Sequence, residues 1–277
     1  MTRRLGLGTV QFGKHYGISN TNGKTSEIEI ETILTIASNH GIDILDTALA
    51  YGRAETELGK YHDGRFKIIS KFPALKDNET LQESLNHSLR NLGVTSLYGY
   101  LAHDPKELLR NESVWQQLVE IKESGRVGKI GFSLNEPEEL DQLMERNLIP
   151  DLIQVPYNYF DRRFEDKMRS LKELGCEVHT RSAFLQGLFF MPPEDLPPFF
   201  EGVKKDLAFL QSSTKSLEGA LLNFALCNPY ADRVIIGVES SNHLLENIKS
   251  LEAPENLPPL KKKISDNIIM PVKWPKK

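Results

Sequence analysis

Two cysteines in 277 residues, Cys176 and Cys227, are too few and too far apart for a disulfide framework or a thiolate metal cluster. They predict two reduced, part-buried thiols in a cytoplasmic protein. Apolar runs of the ~18 residues needed to span a bilayer are absent, so no membrane segment is expected. The opening MTRRLGLGTVQFG carries two arginines but no apolar core before its glycines, which predicts no signal peptide. An excess of one charge is also lacking: 34 Lys and Arg face 38 Asp and Glu, a net of −4. That argues against a nucleic-acid partner. The histidines show no metal-ligand spacing, so no metal site is expected. Without a short-period repeat or a low-complexity linker, the chain reads as one domain over 1–277. Its basic end, KKKISDNIIMPVKWPKK (261–277), reads as a solvated tail.

What the chain does have is rhythm. Eight short β-rich runs recur at 5–10, 42–48, 66–72, 97–103, 129–134, 152–157, 177–184 and 233–238. Continuous apolar runs of this length suit strands buried on both faces of a parallel sheet. Amphipathic helical patterns fill the intervals, at 26–41, a short one near 55–62, then 79–93, 114–125, 138–147, 165–175, 216–228 and 242–252. Leu81, Leu85, Leu89 and Leu92 stand at helical spacing and Gly93 stops them. Strands alternating with helices pair in parallel through right-handed crossovers. At this length the economical result is an α/β fold of the closed (β/α)8 TIM-barrel type. A doubly wound open sheet is the runner-up, but GLGTVQFG lacks the G-x-G-x-x-G spacing. One stretch breaks the rhythm: LFFMPPEDLPPFFEG (188–202), followed by a helix-like 203–212, lengthens the loop after strand seven. Its phenylalanines read as packing residues that could also wall a substrate pocket.

The chemistry begins at DILDTALAYG (43–52), a buried strand that ends on a carboxylate, Asp46, with a phenol, Tyr51, just beyond. In a barrel, catalytic groups sit at the C-terminal strand ends. Strand three ends with Lys71 and strand four with His103. Adjacent strands would bring the four groups to one rim. Asp46 would keep Lys71 charged and aimed. An ammonium at hand favours the phenolate of a tyrosine, whose free pKa near 10 is too high for proton transfer at neutrality. A neutral His103 could orient a carbonyl oxygen. Side chains cannot supply hydride, so a nicotinamide cofactor is implied.

These residues resemble the aldo-keto reductase superfamily. D-T-A-x-x-Y-G (46–52), the lysine of SKF (70–72) and the histidine of AHDP (102–105) carry the likeness, which runs from GLGT (6–9) to LLENI (244–248). It implies a barrel, bound NADPH or NADH, and the catalytic tetrad Asp46, Tyr51, Lys71 and His103. It also implies cofactor contacts from Gly8 and Thr9, from Ser133 in GFSLNE, and from Gln154 in QVPYN. Arg181 would stand where an aromatic ring stacks on the nicotinamide, with Ser182 and Gln186 near the pyrophosphate. Leu134 separates Ser133 from Asn135, where the family has the amide directly after the serine. In VIIGVESSNHLLEN (234–247), Gly237 and Glu239 replace the cations that hold a 2′-phosphate, while Glu246 and Asn247 match an adenine-contacting pair. A carboxylate repels a 2′-phosphate and can accept from a ribose hydroxyl, so NADH is expected to be tolerated or preferred. The chain departs from the family in having little sequence before strand one, so the usual hairpin plugging the barrel bottom is expected to be missing or minimal.

The expected activity is reduction of an aldehyde, ketone or sugar carbonyl on a small molecule, or the reverse. Two alternatives stand beside it. One is a barrel lyase or aldolase with Lys71 as Schiff-base amine, which an Asp46 ion pair disfavours. The other is a non-catalytic, reductase-like cofactor-binding subunit.

Overall fold

The computed structural model describes residues 1–75 and 79–275, so the last two residues of the basic end lie outside it. Strands β1 (Leu5–Gly8), β2 (Ile44–Asp46), β3 (Lys67–Phe72), β4 (Leu97–Ala102), β5 (Val127–Ser133), β6 (Leu152–Pro156), β7 (Glu177–Arg181) and β8 (Arg233–Gly237) form one closed parallel barrel. β1 pairs with both β2 and β8, which excludes the open sheet. The barrel helices are α1 (Glu27–Asn39), α2 (Ala54–Tyr61), α3 (Leu81–Leu92), α4 (Ser113–Glu123), α5 (Pro137–Glu145), α6 (Glu165–Glu173), α7 (Leu217–Leu226) and α8 (Ser241–Ser250). Their ends follow local chemistry. Thr80 and Glu83 close a capping box on α3, and Gly93 ends it at φ 66°.

Strand periodicity decides what faces the lumen. Side chains alternate, so residues two apart share a face. Ile44, Ile69, Leu101, Leu152 and Ile235 form the apolar filling of the barrel. Two residues further toward the C-terminal rim stand Asp46, Lys71, His103, Gln154 and Gly237. The same step leads from Gly6 to Gly8, Gly131 to Ser133 and His179 to Arg181. A polar ring therefore lies directly above an apolar layer. The other strand faces pack on the helices in the main core, through residues such as Leu7, Leu45, Tyr100, Phe132, Ile153 and Ile236.

No folded hairpin precedes β1 among the described residues, only a single turn at Thr2–Arg4. Polar groups stand at the lower mouth. The Glu177 carboxylate accepts from Tyr98 Oη at 2.7 Å, from His179 Nε2 at 2.6 Å, and from Lys129. Burial pushes this carboxyl up, but the three donors outweigh it and hold it well below the usual range.

The chain end differs from the expected solvated tail. Ile264, Ile268, Ile269, Met270 and Trp274 are buried in a second core with Leu196, Phe200, Leu207 and Leu210 of the long β7 connection. Lys261, Lys262, Lys263 and Lys273 stay outside while the apolar residues cover the connection, whose helix spans Lys204–Ser212. Trp274 Nε1 donates to Ile268 O at 2.9 Å. Phe189 and Phe200 are packing residues as expected. Cys176 is buried, which pushes its thiol up to about 12, whereas Cys227 is exposed rather than part-buried.

Candidate active site

At the C-terminal rim the chain buries a lysine completely. Lys71 is 0 % exposed and Asp46 3 %. An ammonium has three N–H donors. Here they reach Asp46 Oδ1 and Oδ2, each at 2.7 Å, and Thr47 O at 2.9 Å. Asp46 is fixed in turn by Gln154 Nε2, which donates to Oδ1 at 2.8 Å. Thr9 holds the strand end, with its N and Oγ1 both donating to Asp46 O at 3.0 Å. The β2 loop continues the pairing: Leu49 N donates to Lys71 O at 3.1 Å. The loop then returns Tyr51 over the pair, with Lys71 Nζ 5.2 Å from the ring centroid. His103 extends β4, its N donating to Phe72 O at 2.9 Å. Its ring meets Tyr51 edge-to-face at 5.4 Å and 82°.

His103 is held neutral. Burial comes first, then the positive charges of Lys71, Arg181 and Lys14, and together they lower its pKa from 6.5 to about 3. A neutral imidazole offers one N–H to a carbonyl oxygen at all ordinary pH values. The same shift bears on stability. Between pH 6.5 and about 3 the unfolded chain binds a proton at His103 that the folded chain refuses. Its contribution is thus intact above 6.5 and declines as pH falls through that window. A His103→Asn variant is expected to lose less stability on acidification over this range, as read by urea midpoints at stepped pH.

A cavity of about 470 Å³ opens on Tyr51 and His103. Gly8, Thr9, Asp46, Ser133, Gln154, Arg181, Ser182, Gln186, Gly237 and Glu239 line it. Lys71 does not; it lies beneath. Glu246 and Asn247 are outside the cavity lining: Glu246 is exposed, and Asn247 is buried with Oδ1 unpartnered. Gln154 spends one amide hydrogen on Asp46, and Arg181 donates to Leu134 O at 2.8 Å and Asn135 Oδ1 at 2.7 Å. A second cavity, about 580 Å³, lies at Tyr157, Phe224 and Tyr230 and touches no tetrad residue.

Several lining residues escaped the sequence reading. Gln11, in the one-turn helix Val10–Gly13, is 8 % exposed and leaves Oε1 unpartnered. Pro271 and Val272 wall the cavity from the chain end. Tyr16 and Gln186 join across the mouth, Gln186 Nε2 donating to Tyr16 Oη at 2.8 Å, while Ile18 N donates to Gln186 O at 3.0 Å. Close approach at Gly187 permits this. It sits at φ 89°, and a Cβ there would stand 1.9 Å from Ser19 Oγ. Gly13 does the same beneath Tyr51, where a Cβ would stand 1.7 Å from Tyr51 O. Gly13→Ala is expected to displace the Tyr51 loop and cost about tenfold or more in kcat, on the principle that small misplacements impair catalysis, with steady-state kinetics as the check. No metal-ligand cluster occurs among the described residues, and no helix there is long and apolar enough to cross a membrane.

Comparison with known sequences decides the kinship. The Aldo/keto reductase family matches residues 4–259. The chain belongs to this family. It is 32 % identical to "Aldo-keto reductase YhdN" of Bacillus subtilis over 182 residues, covering 60 % of this chain and 53 % of that protein. It is 25 % identical over 275 residues to a "Putative voltage-gated potassium channel subunit beta" of Schizosaccharomyces pombe, covering 82 % and 80 %. The match spans about half the length of the first relatives, 53 % and 49 %. The fold superposes on aldo-keto reductase AKR11C1 from Bacillus halodurans with a TM-score of 0.73 at 22 % identity, covering 91 % and 88 % of the chains.

Proposed function

We propose that the protein is an NAD(P)H-dependent carbonyl reductase in which Tyr51 is the general acid, or the base in the reverse direction. The observation that carries this reading is the buried Lys71–Asp46 pair beneath Tyr51, with a neutral His103 against the phenol. The site residues suit a nicotinamide cofactor. The unpartnered Gln11 Oε1 awaits a donor, and at Gly237 a Cβ would crowd the Gln11 amide at 2.8 Å, so only a glycine leaves the wall open. Gly8, Thr9, Ser133, Gln154, Ser182 and Gln186 border the same space and would help hold the group, with Arg181 at the junction of cofactor and substrate. When bound, the dihydronicotinamide supplies hydride to the carbonyl carbon.

The chain's own residues do the rest. His103 donates its N–H to the carbonyl oxygen and aims it. The Tyr51 phenol gives its proton to that oxygen as negative charge develops there. The Lys71 ammonium stabilises the phenolate left behind, through space, because its three hydrogens already serve Asp46 and Thr47. Asp46 fixes the lysine and balances its charge. The same saturation weighs against the Schiff-base alternative, since an ion-paired amine with all three hydrogens engaged and no exposed face is a poor nucleophile. The likeness to a putative channel subunit brings in the non-catalytic alternative, against which the complete tetrad weighs.

For the cofactor, the reading favours NADH. Glu239 lines the cavity. Beside it Glu29 of α1 reaches across to accept from Ser241 N, and Ser240 Oγ accepts from His243 N at 3.2 Å. Two of the first amides of α8, part of a ready anion site in an open helix end, are thus already occupied by the chain's own side-chain acceptors. Glu239→Arg is expected to shift the NADPH-to-NADH affinity ratio toward NADPH by about tenfold or more, as a reversed charge contact of ~1.4 kcal/mol would. Fluorescence titration with each cofactor at fixed salt reads it. An unchanged ratio would remove Glu239 from cofactor choice.

A further inference from the structure

We propose that the carbonyl substrate carries an anionic group, a carboxylate or a phosphate, which Arg181 and Lys14 hold beside the Tyr51–His103 site. The inference rests on the carbonyl-reducing reading above and adds the class of substrate. It begins with the charges at the tetrad end of the cavity. Lys71 is neutralised by Asp46. Arg181, the last residue of β7, is not neutralised. Its guanidinium donates to three neutral acceptors: Leu134 O at 2.8 Å, Asn135 Oδ1 at 2.7 Å and Ser182 Oγ at 3.4 Å. Among the described residues it has no carboxylate partner, although it lines the cavity with Tyr51 and His103. The bonds fix the plane of the group and leave its charge to the cavity. A guanidinium so anchored is pre-organised for a planar anion.

Lys14, just after the one-turn helix Val10–Gly13 and outside the cavity lining, brings a second positive charge. Its Cγ would stand 3.5 Å from a Cβ on Gly52, so the side chain lies over the turn next to Tyr51. It is exposed, and no carboxylate pairs with it among the described residues. Both charges are felt at His103. The carboxylate nearest in sequence, Asp104, is occupied, accepting from Lys106 N at 3.0 Å. Glu239 makes no ion pair with either cation among the described residues. The reduced nicotinamide ring is neutral and does not balance them, and the cofactor's pyrophosphate, expected near Ser182 and Gln186, is the competing partner for Arg181 that the NADH titration below reads. A substrate whose carbonyl meets Tyr51 and His103 balances them when its own anion reaches Arg181 and Lys14. Aldehyde acids, uronates and phosphorylated sugars have this form.

The test uses matched substrate pairs with saturating cofactor: D-glucuronate against D-glucose for the carboxylate arm, and D-glyceraldehyde 3-phosphate against D-glyceraldehyde for the phosphate arm. The expected result is a kcat/KM at least tenfold higher for the charged member of one pair or both, falling as salt is raised. Arg181→Gln should reduce that ratio by tenfold or more, chiefly through KM, Arg181→Lys should restore part of it, and Lys14→Gln should reduce it less. Circular dichroism and NADH titration of each variant run alongside. Equal or better turnover of the neutral members would overturn the proposal. So would an Arg181→Gln variant that loses both members equally or loses NADH binding in proportion, which would assign the arginine to the cofactor. No turnover of any member with cofactor bound would instead overturn the reductase reading.

Discussion

Tyr51→Phe is expected to lower kcat by about 10³, within the range that a positioned acid contributes, while leaving cofactor affinity within about twofold. The substitution removes one oxygen and keeps the ring. The ring is what packs against His103 and lies over Lys71, so the fold and the cavity wall remain. What is lost is the phenol that gives its proton to the carbonyl oxygen in the proposed mechanism. His103 does not replace it, because a neutral imidazole surrendering its N–H would become an anion, and burial beside cations does not make that accessible near neutrality. Stopped-flow or steady-state turnover with a cofactor titration beside it checks the pair of expectations. A Tyr51→Phe enzyme at full speed would remove the phenol from the mechanism.

Lys71→Met should fail more broadly, in stability as well as rate. The methionine keeps much of the lysine's volume but leaves Asp46 buried with its charge unmatched. Breaking one side of a buried pair costs about 3–5 kcal/mol. Asp46 would retain one bond from Gln154 and lose both from the ammonium. The double change Lys71→Met with Asp46→Asn should recover much of the stability, because the unpaired charge is gone, and recover none of the turnover. Urea unfolding of the single and double variants separates the two effects. If the single variant were as stable as the parent, the pair would not bear on the fold.

Much of the barrel was legible because it rests on local periodicity. Apolar runs of strand length alternating with amphipathic helices, most of them stopped by a glycine or opened by a capping serine or threonine, gave the order of the eight strands and eight barrel helices, with ends off by up to a few residues. The rim was legible for a related reason. A strand residue two beyond a lumen-facing isoleucine or leucine must face the same way, so Asp46, Lys71, His103 and Gln154 were bound to point into the barrel once the strands were known. The end of the chain was misread because ISDNIIMPVKW is a mixed segment. The lysines in and around it suggest solvent, and its apolar residues mean burial only where another apolar face waits for them, which the long β7 connection provides.

The sequence by itself determined the eight strands, the barrel helices and the inward direction of Asp46, Lys71 and His103, since each depends on spacing along a few residues. Only tertiary structure decided that Glu29 caps α8 across 212 positions, that Gln186 and Tyr16 meet over the mouth across 170, and that the chain end walls the cavity. It alone left Arg181 on the cavity of Tyr51 and His103 with no carboxylate partner among the described residues. Closure of the barrel sets β8 beside β1 regardless of distance in sequence, and a charge is paired or unpaired only when its neighbours in space are known.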